Sequence, residues 1–315
     1  MPPTILVAGA TGNTGVGVVE TLSKLIEDSA FAGYRILATT RSTKGAVAQR
    51  LAKLSGVDVI EQSWVEITSE WLREQQVVRA FIAPQGDTRQ FAEESSFYVA
   101  VLQAGVEYVV RVSTTACNIR PDYPAYYPRN HWAIEALLSS PEFSKLQWSS
   151  LQPNGFFSAA LAGAVELVKK VRAGGGQETL RTILSEDTPT GIVSPDDVGA
   201  FAAHLLLESD ITTHNRAKYI LNGPEDITGA DVVKLTEEYI GATVKDVSFK
   251  DVSFTDYMIA NNPTESKNVI GSVRWAAIHT WEGKASVSTT SKMVYELCPP
   301  KTTAARAFKA LLEGA

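Results

Sequence analysis

A chain of 315 residues, 44% hydrophobic and 20% charged, is long enough for one large domain or two smaller ones and apolar enough for a sizeable core. Its formal charge of -6, with no basic run, excludes a bulk attraction to nucleic acid or to an anionic membrane. The two cysteines, Cys117 and Cys298, make neither a disulfide framework nor a metal knuckle, which fits a reducing compartment. The opening MPPTILVAGATG has no basic region and no long apolar stretch, so no signal peptide is expected. The apolar run at 157–168 is too short to span a bilayer and ends at Lys169 and Lys170, and a cytoplasmic location is the expectation.

In chain order, TILVA (4–8) reads as a buried strand, and 14–28 as a helix with Val18, Val19, Leu22 and Leu25 on one side. Strand patterns follow at 34–40, 57–61, 77–83 and 107–114. Helical patterns at 44–55, 67–75 and 88–104 separate them. A helix at 129–140 and a sixth strand at 146–153 complete this half. Strands alternating with helices predict an α/β fold, and right-handed crossovers make it a doubly wound parallel sheet. Beyond it, Ser194 before Pro195 caps a helix over 194–209, 218–223 is a strand, and 228–241 is a helix closed by Gly241. The aromatic and polar stretch from about 242 to 300 is assigned to a smaller C-terminal substrate lobe. The expected division is 1–155 for the first domain, with 186–225 returning to it, and 156–315 mainly for the lobe.

The stretch GATGNTG (9–15) lies between the first strand and the first helix, the setting in which a glycine loop binds a dinucleotide. Gly9 permits a tight turn, Gly12 lets the backbone approach a pyrophosphate, and Gly15 lets the helix pack closely. The anion meets free amides and the positive dipole at the helix start, with Thr11, Asn13 and Thr14 around it. After the second strand the chain reads ATTRSTKG, with no acid to hold a ribose 2′-hydroxyl. Arg41 and Lys44 are placed there to grip a 2′-phosphate, which selects NADP(H) over NAD(H). Ala83, Pro84 and Gln85, after the fourth strand, are expected at the adenine-ribose side, beyond the carboxyl ends of the strands.

The spacing G-x-x-G-x-x-G, with Thr11 in place of a middle glycine, is similar to that of extended and atypical short-chain dehydrogenase/reductases, and GATGNTG resembles the NmrA-like family. TGIVSPDDVGAFAAHLL (190–206) and YILNGPEDITGADVVKLTEEYIG (219–241) resemble later blocks of that family, and the resemblance covers roughly residues 4–260. It implies a Rossmann sheet. It also implies a hydroxyl at Ser113 or Thr114 that orients the substrate carbonyl. Tyr127, His131 and Glu135 then stand where extended reductases carry a Tyr-x-x-x-Lys pair with Glu four residues further on. Here His131 replaces the Lys that would lower the Tyr pKa, and Pro128 places Tyr127 just before the helix. Tyr127 or His131 is the candidate proton donor, and His131 is also a candidate contact of the cofactor. Pro153, Asn154, Gly155 and Phe156 are the family's nicotinamide neighbours, with Gln152 where many relatives have Arg.

Trp275, Trp281, Tyr257 and Phe254 are expected to build an apolar substrate pocket, which His279 is a candidate to line. No His, Cys, Asp and Glu spacing points to a metal. The leading function is an NADPH-dependent oxidoreductase acting on a carbonyl, enone or imine of a small organic molecule of the secondary-metabolite kind. Two other readings stay open: a non-catalytic NADP(H)-binding redox sensor, and a non-redox enzyme such as a cyclase on the same fold.

Overall fold

The computed structural model of the protein, which describes residues 1–314, centres on one seven-stranded sheet. The strands are β1 (Thr4–Ala8), β2 (Arg35–Thr40), β3 (Val57–Glu61), β4 (Val77–Ile82), β5 (Tyr108–Val112), β6 (Gln147–Pro153) and β7 (Ala217–Leu221). Their order is β3-β2-β1-β4-β5-β6-β7, and every pairing is parallel. The strand order reverses beside β1, which opens a crevice at the carboxyl ends of β1 and β4. β1 is buried at all five positions, as a strand covered on both faces must be.

Alternate residues of β1 feed two separate cores. Ile5 and Val7 join Val18, Val19 and Leu22 of α1 (Asn13–Leu25). Leu6 and Ala8 face the opposite layer, built on α4 (Gln90–Ala104) and α5 (Tyr126–Leu138). The helices α2 (Ala46–Leu51) and α3 (Ser69–Glu74) complete the crossovers between β2 and β4.

Two further helices follow β6. α6 (Ala162–Arg172) leads the chain away from the sheet. α7 (Pro195–Leu206) brings it back, capped by Ser194, whose side chain accepts from the Asp196 amide. α7 packs on α1 at very short range. A Cβ on Gly199 would lie 2.5 Å from the Thr14 carbonyl oxygen, and one on Gly17 would lie 2.9 Å from that of Asp196. Val198, Phe201, Ala202 and Leu205 of α7 share the core of β1 and α1.

A third apolar cluster stands apart from the sheet. Phe157, Leu161, Ala164, Leu167 and Val168 meet Leu180, Ile192, Ile227, Val232 and Phe308 in it. Two short strand pairs trim this region: 180–181 beside 247–248, and 190–191 beside 226–227. Between 252 and 297 the chain runs through short helical turns, and the last of the helices, Ala304–Glu313, docks on the third cluster. Among the described residues no helix is long and apolar enough to cross a membrane.

Two boundaries differ from the sequence reading in ways that matter to the site. β5 ends at Val112, so Ser113–Thr115 already belong to the loop at the strand's carboxyl end. α5 starts at Tyr126 behind the cap residue Ala125, which puts Tyr127 inside the first turn rather than before the helix. Pro128 is compatible with that turn because its missing N–H has no carbonyl to reach there.

Candidate functional site

The glycine loop closes on itself. Gly9 has φ of +75°, and its carbonyl accepts from the Gly12 amide at 2.9 Å. Only a glycine adopts that backbone without strain. A Cβ on Gly15 would fall 2.4 Å from the Gly9 carbonyl oxygen, so Gly15 lets α1 rest directly on the loop. Thr11 and Thr40 share a hydroxyl hydrogen bond of 2.9 Å, which ties the loop to the end of β2. At the start of α1, cap residue Gly12 supplies no side-chain hydrogen bond and no acid stands in the first turn. The first-turn amides and the positive helix end are thus open to an anion.

That helix end faces a cleft of about 620 Å³. Gly9, Thr11, Gly12, Asn13 and Thr14 form one side of it, and Ala83, Pro84 and Gln85 the other. Arg41 lines the β2 end, exposed and with no hydrogen bond or ion pair among the described residues. Lys44 is exposed too, but it is not among the lining residues. The chain turns after Ser42, whose hydroxyl accepts from the Lys44 amide, and leaves Arg41 as the cation at this end. Gln62, Ser63, Trp64 and Val65, which sequence reasoning missed, also line the cleft. The signal that points to them is positional: they follow the carboxyl end of β3, the strand next to β2.

Ser113 and Phe156 line this cleft and also a second cavity of about 350 Å³ beyond it. The second cavity is largely apolar, with walls from Ala159, Ala160, Ile183, Leu184, Ile192 and Phe254. Pro153, Asn154 and Gly155 line it rather than the first cleft. The Asn154 amide is already committed, donating to the Asn222 side chain and, at 3.4 Å, to the Ala285 carbonyl. Of the four aromatic residues expected in the pocket, Phe254 alone is among those that line it. Trp281 donates its indole N–H to the Ile183 carbonyl at 2.8 Å, Trp275 is half exposed, and Tyr257 is 73% exposed. Burial thus brings one of the four to the cavity and leaves the others outside its lining.

Tyr127 lines the second cavity beside Thr114. Burial raises its hydroxyl pKa, and the neighbouring Thr114 side chain works against that shift. Its ring meets His131 edge to face at 6.4 Å. His131 itself lines neither cavity and is 4% exposed. Its Nδ1 accepts from Arg111 at 2.9 Å, and the Gln90 amide nitrogen lies 3.2 Å from the same atom. Burial, then the Arg111 charge, holds its pKa well below the ordinary value. A neutral imidazole that accepts from a permanent cation and lines no cavity is a poor proton donor to a ligand. This corrects the expectation for His131 as a donor and as a cofactor contact.

The helix face carrying Tyr127, His131 and Glu135 leads into a buried polar cluster under β5 and β6. Arg111, fully buried, pairs with Glu94 at 2.8 Å and lies 3.6 Å from Glu135. Glu135 accepts from Ser113 at 3.0 Å, Ser150 at 2.7 Å and Gln152 at 3.1 Å, and pairs with Lys218 at 2.8 Å. Burial pushes the Glu135 pKa up, but Arg111, Lys218 and Ser150 outweigh it and leave the carboxyl below its ordinary value. Glu135 is thus ionised and can only accept. The Ser113 proton therefore points at Glu135, and Ser113 presents lone pairs, not a donor, to the cavities. Gln152 likewise donates to Glu135.

His279 also lines the second cavity. Asn118 donates from Nδ2 to the Ala276 carbonyl and to His279 Nδ1, both at 3.0 Å. Among the described residues no group of His, Cys, Asp and Glu is placed to hold a metal ion.

The profile of the NmrA-like family matches residues 1–293. No curated protein sequence matches the chain. Solved structures share the whole fold. The NADPH-dependent quinone oxidoreductase of Escherichia coli, complexed with NADPH, superposes with a TM-score of 0.70 at 20% identity, over 98% of this chain and 99% of that one. The triphenylmethane reductase of Citrobacter sp., complexed with NADP(H), gives 0.67 at 19% identity over 97% and 99%. A ternary complex of leucoanthocyanidin reductase from Vitis vinifera gives 0.66 at 14% identity over 98% and 99%. With a parallel sheet of this order, a glycine loop at its switch point and a family match over nearly its full length, the chain belongs to the NmrA-like family.

Proposed function

We propose that the protein is an NADPH-dependent oxidoreductase that reduces a carbonyl, enone or imine of a small, largely apolar organic molecule. The residues fit the dinucleotide. The uncapped start of α1 and the loop held by Gly9 and Gly15 make a cradle that a Cβ would fill. Arg41, free of protein partners, is the group to hold a 2′-phosphate. The chemistry NADPH supplies when bound is hydride donation from its nicotinamide.

The observation that carries the reading is the junction of the two cavities at Ser113 and Phe156, which sets an apolar chamber against a polar, anion-accepting cleft. Phe156 and the aliphatic walls exclude water and bind an apolar body. The Tyr127 hydroxyl, its pKa raised by burial, keeps its proton at neutral pH and is the group to give it to the substrate atom being reduced. Ser113 fixes the floor through Glu135 and offers an acceptor rather than a donor.

The test is NADPH oxidation followed by absorbance against a panel of quinones, ketones and imines; two of the similar structures are a quinone oxidoreductase and a triphenylmethane reductase. Tyr127→Phe should lower kcat by about a hundredfold on an accepted substrate and leave NADPH affinity unchanged. Tight NADPH binding with no turnover across the panel would instead support the redox-sensor reading, which the replacement of the helix lysine by His131 favours.

A further inference from the structure

The second cavity holds few uncommitted donors. The Ser113 proton goes to Glu135, Thr280 donates to the Ala277 carbonyl at 2.7 Å, and the Asn154 amide is turned to Asn222. His279 is different. Its side chain is enclosed, the residue being only 7% exposed, and its Nε2 has no hydrogen-bond partner among the described residues. Buried polar atoms are nearly always paired, so an orphan in the wall of a cavity points to a partner that arrives from outside.

The tautomer follows from Asn118. Its Oδ1 accepts from the Cys117 thiol at 3.7 Å and its Nδ2 donates to the Ala276 carbonyl, so the orientation of the amide is set. The Ala276 carbonyl, the nearby acceptor that would favour a proton on the ring, is taken by Nδ2 at 3.0 Å, and the same Nδ2, which can only donate, lies 3.0 Å from His279 Nδ1, so that the lone pair is assigned to Nδ1. Burial pushes the imidazole pKa down to about 4, so the ring is neutral near pH 7 and its single proton sits on Nε2. The orphan is a donor.

We propose that the Nε2–H of His279 donates a hydrogen bond to an oxygen or nitrogen acceptor of the substrate. The inference rests on reading the second cavity as the substrate site, and it narrows the substrate class. The molecule is an apolar body with an acceptor atom on its His279 side, such as a conjugated aryl ketone or a quinone. Asn118 is the positioning residue that keeps the proton on Nε2.

The experiment uses the full chain and a matched pair of probes, 1-tetralone and its hydrocarbon analogue tetralin. Imidazole nitrogens are followed by NMR and affinities by titration. The chain has four histidines, so His279 is assigned by the signal lost in His279→Phe. In the free protein the proton is expected on Nε2. Tetralone should shift that N–H and tetralin should not. His279→Phe should weaken tetralone about tenfold and leave tetralin unchanged. His279→Gln, whose amide N–H replaces Nε2–H, should restore most of the difference. A proton found on Nδ1 overturns the proposal. So does a tetralone-to-tetralin affinity ratio that His279→Phe does not change, although the cavity then stands as a binding site. If neither probe binds, the substrate-site reading falls as well.

Discussion

Arg41 is the residue proposed to choose between the two pyridine nucleotides. It stands at the carboxyl end of β2, exposed, beside a cleft wall that offers no acid at this point. A guanidinium with no protein partner gives a 2′-phosphate a charge-assisted fork and gives a bare 2′-hydroxyl little. Arg41→Ala should therefore cost about tenfold or more in NADPH affinity and leave NADH affinity nearly unchanged, as measured by calorimetry. Equal losses for the two would remove Arg41 from this role. Its position was legible from ATTRSTKG because the residue after a strand has little freedom in where it points. Lys44 was not, because three residues of turn separate it from the strand and direct it away. His131 shows the same limit on a helix. Spacing put it on one face with Tyr127 and Glu135, correctly, but spacing is blind to Arg111, which comes from another element and makes the imidazole an acceptor.

At the scale of elements, α1 is held from both sides by glycine. Gly15 seats it on the phosphate loop, and Gly17 with Gly199 seats it on α7. A methyl group on Gly199 would meet the Thr14 carbonyl, the Val18 amide and Gly17 backbone, none of which is a flexible side chain. Gly199→Ala should destabilise by about 1–3 kcal/mol, read as a Tm lowered by several degrees. It should also weaken NADPH, because Thr14 lies in the first turn of α1, where the diphosphate is proposed to dock. Thermal melts with and without NADPH check both parts; an unchanged melt would mean that the two helices separate at little cost. The role of Gly15 was legible from the loop motif. That of Gly199 was not, since its partners Thr14, Gly17 and Val18 belong to the far end of the chain and only the return of α7 to the sheet brings them together.

Across the whole molecule, buried titratable groups set the acid limit of stability. His131 and His279 both have folded pKa values lowered by burial, that of His279 to about 4. The unfolded chain takes up protons on these rings below about pH 6.5 while the folded chain does not. Their contribution is full above that pH and is lost as pH falls from there toward the folded values, at up to about 1.4 kcal/mol per pH unit for each ring. Glu135, with its pKa held down, adds a loss of the same sign at lower pH. Urea midpoints at pH 7.5, 6.5 and 5.5 should fall steeply over the last step, and less steeply in His279→Phe. A flat profile between pH 7 and 5 would show that these rings reach solvent.

The order of strands and helices through β7, the glycine loop and the Arg41 corner were determined by the sequence alone. Apolar periodicity, glycine conformation and the geometry of a strand's end are local properties, and neighbouring residues fix them. The tertiary structure decided the rest. It turned His131 inward, spent the Ser113 proton and Gln152 on Glu135, selected Phe254 among the aromatic residues for the chamber and left His279 with an unpaired N–H. Each of those outcomes depends on which distant side chain shares a desolvated space, and no pattern along the chain encodes that proximity.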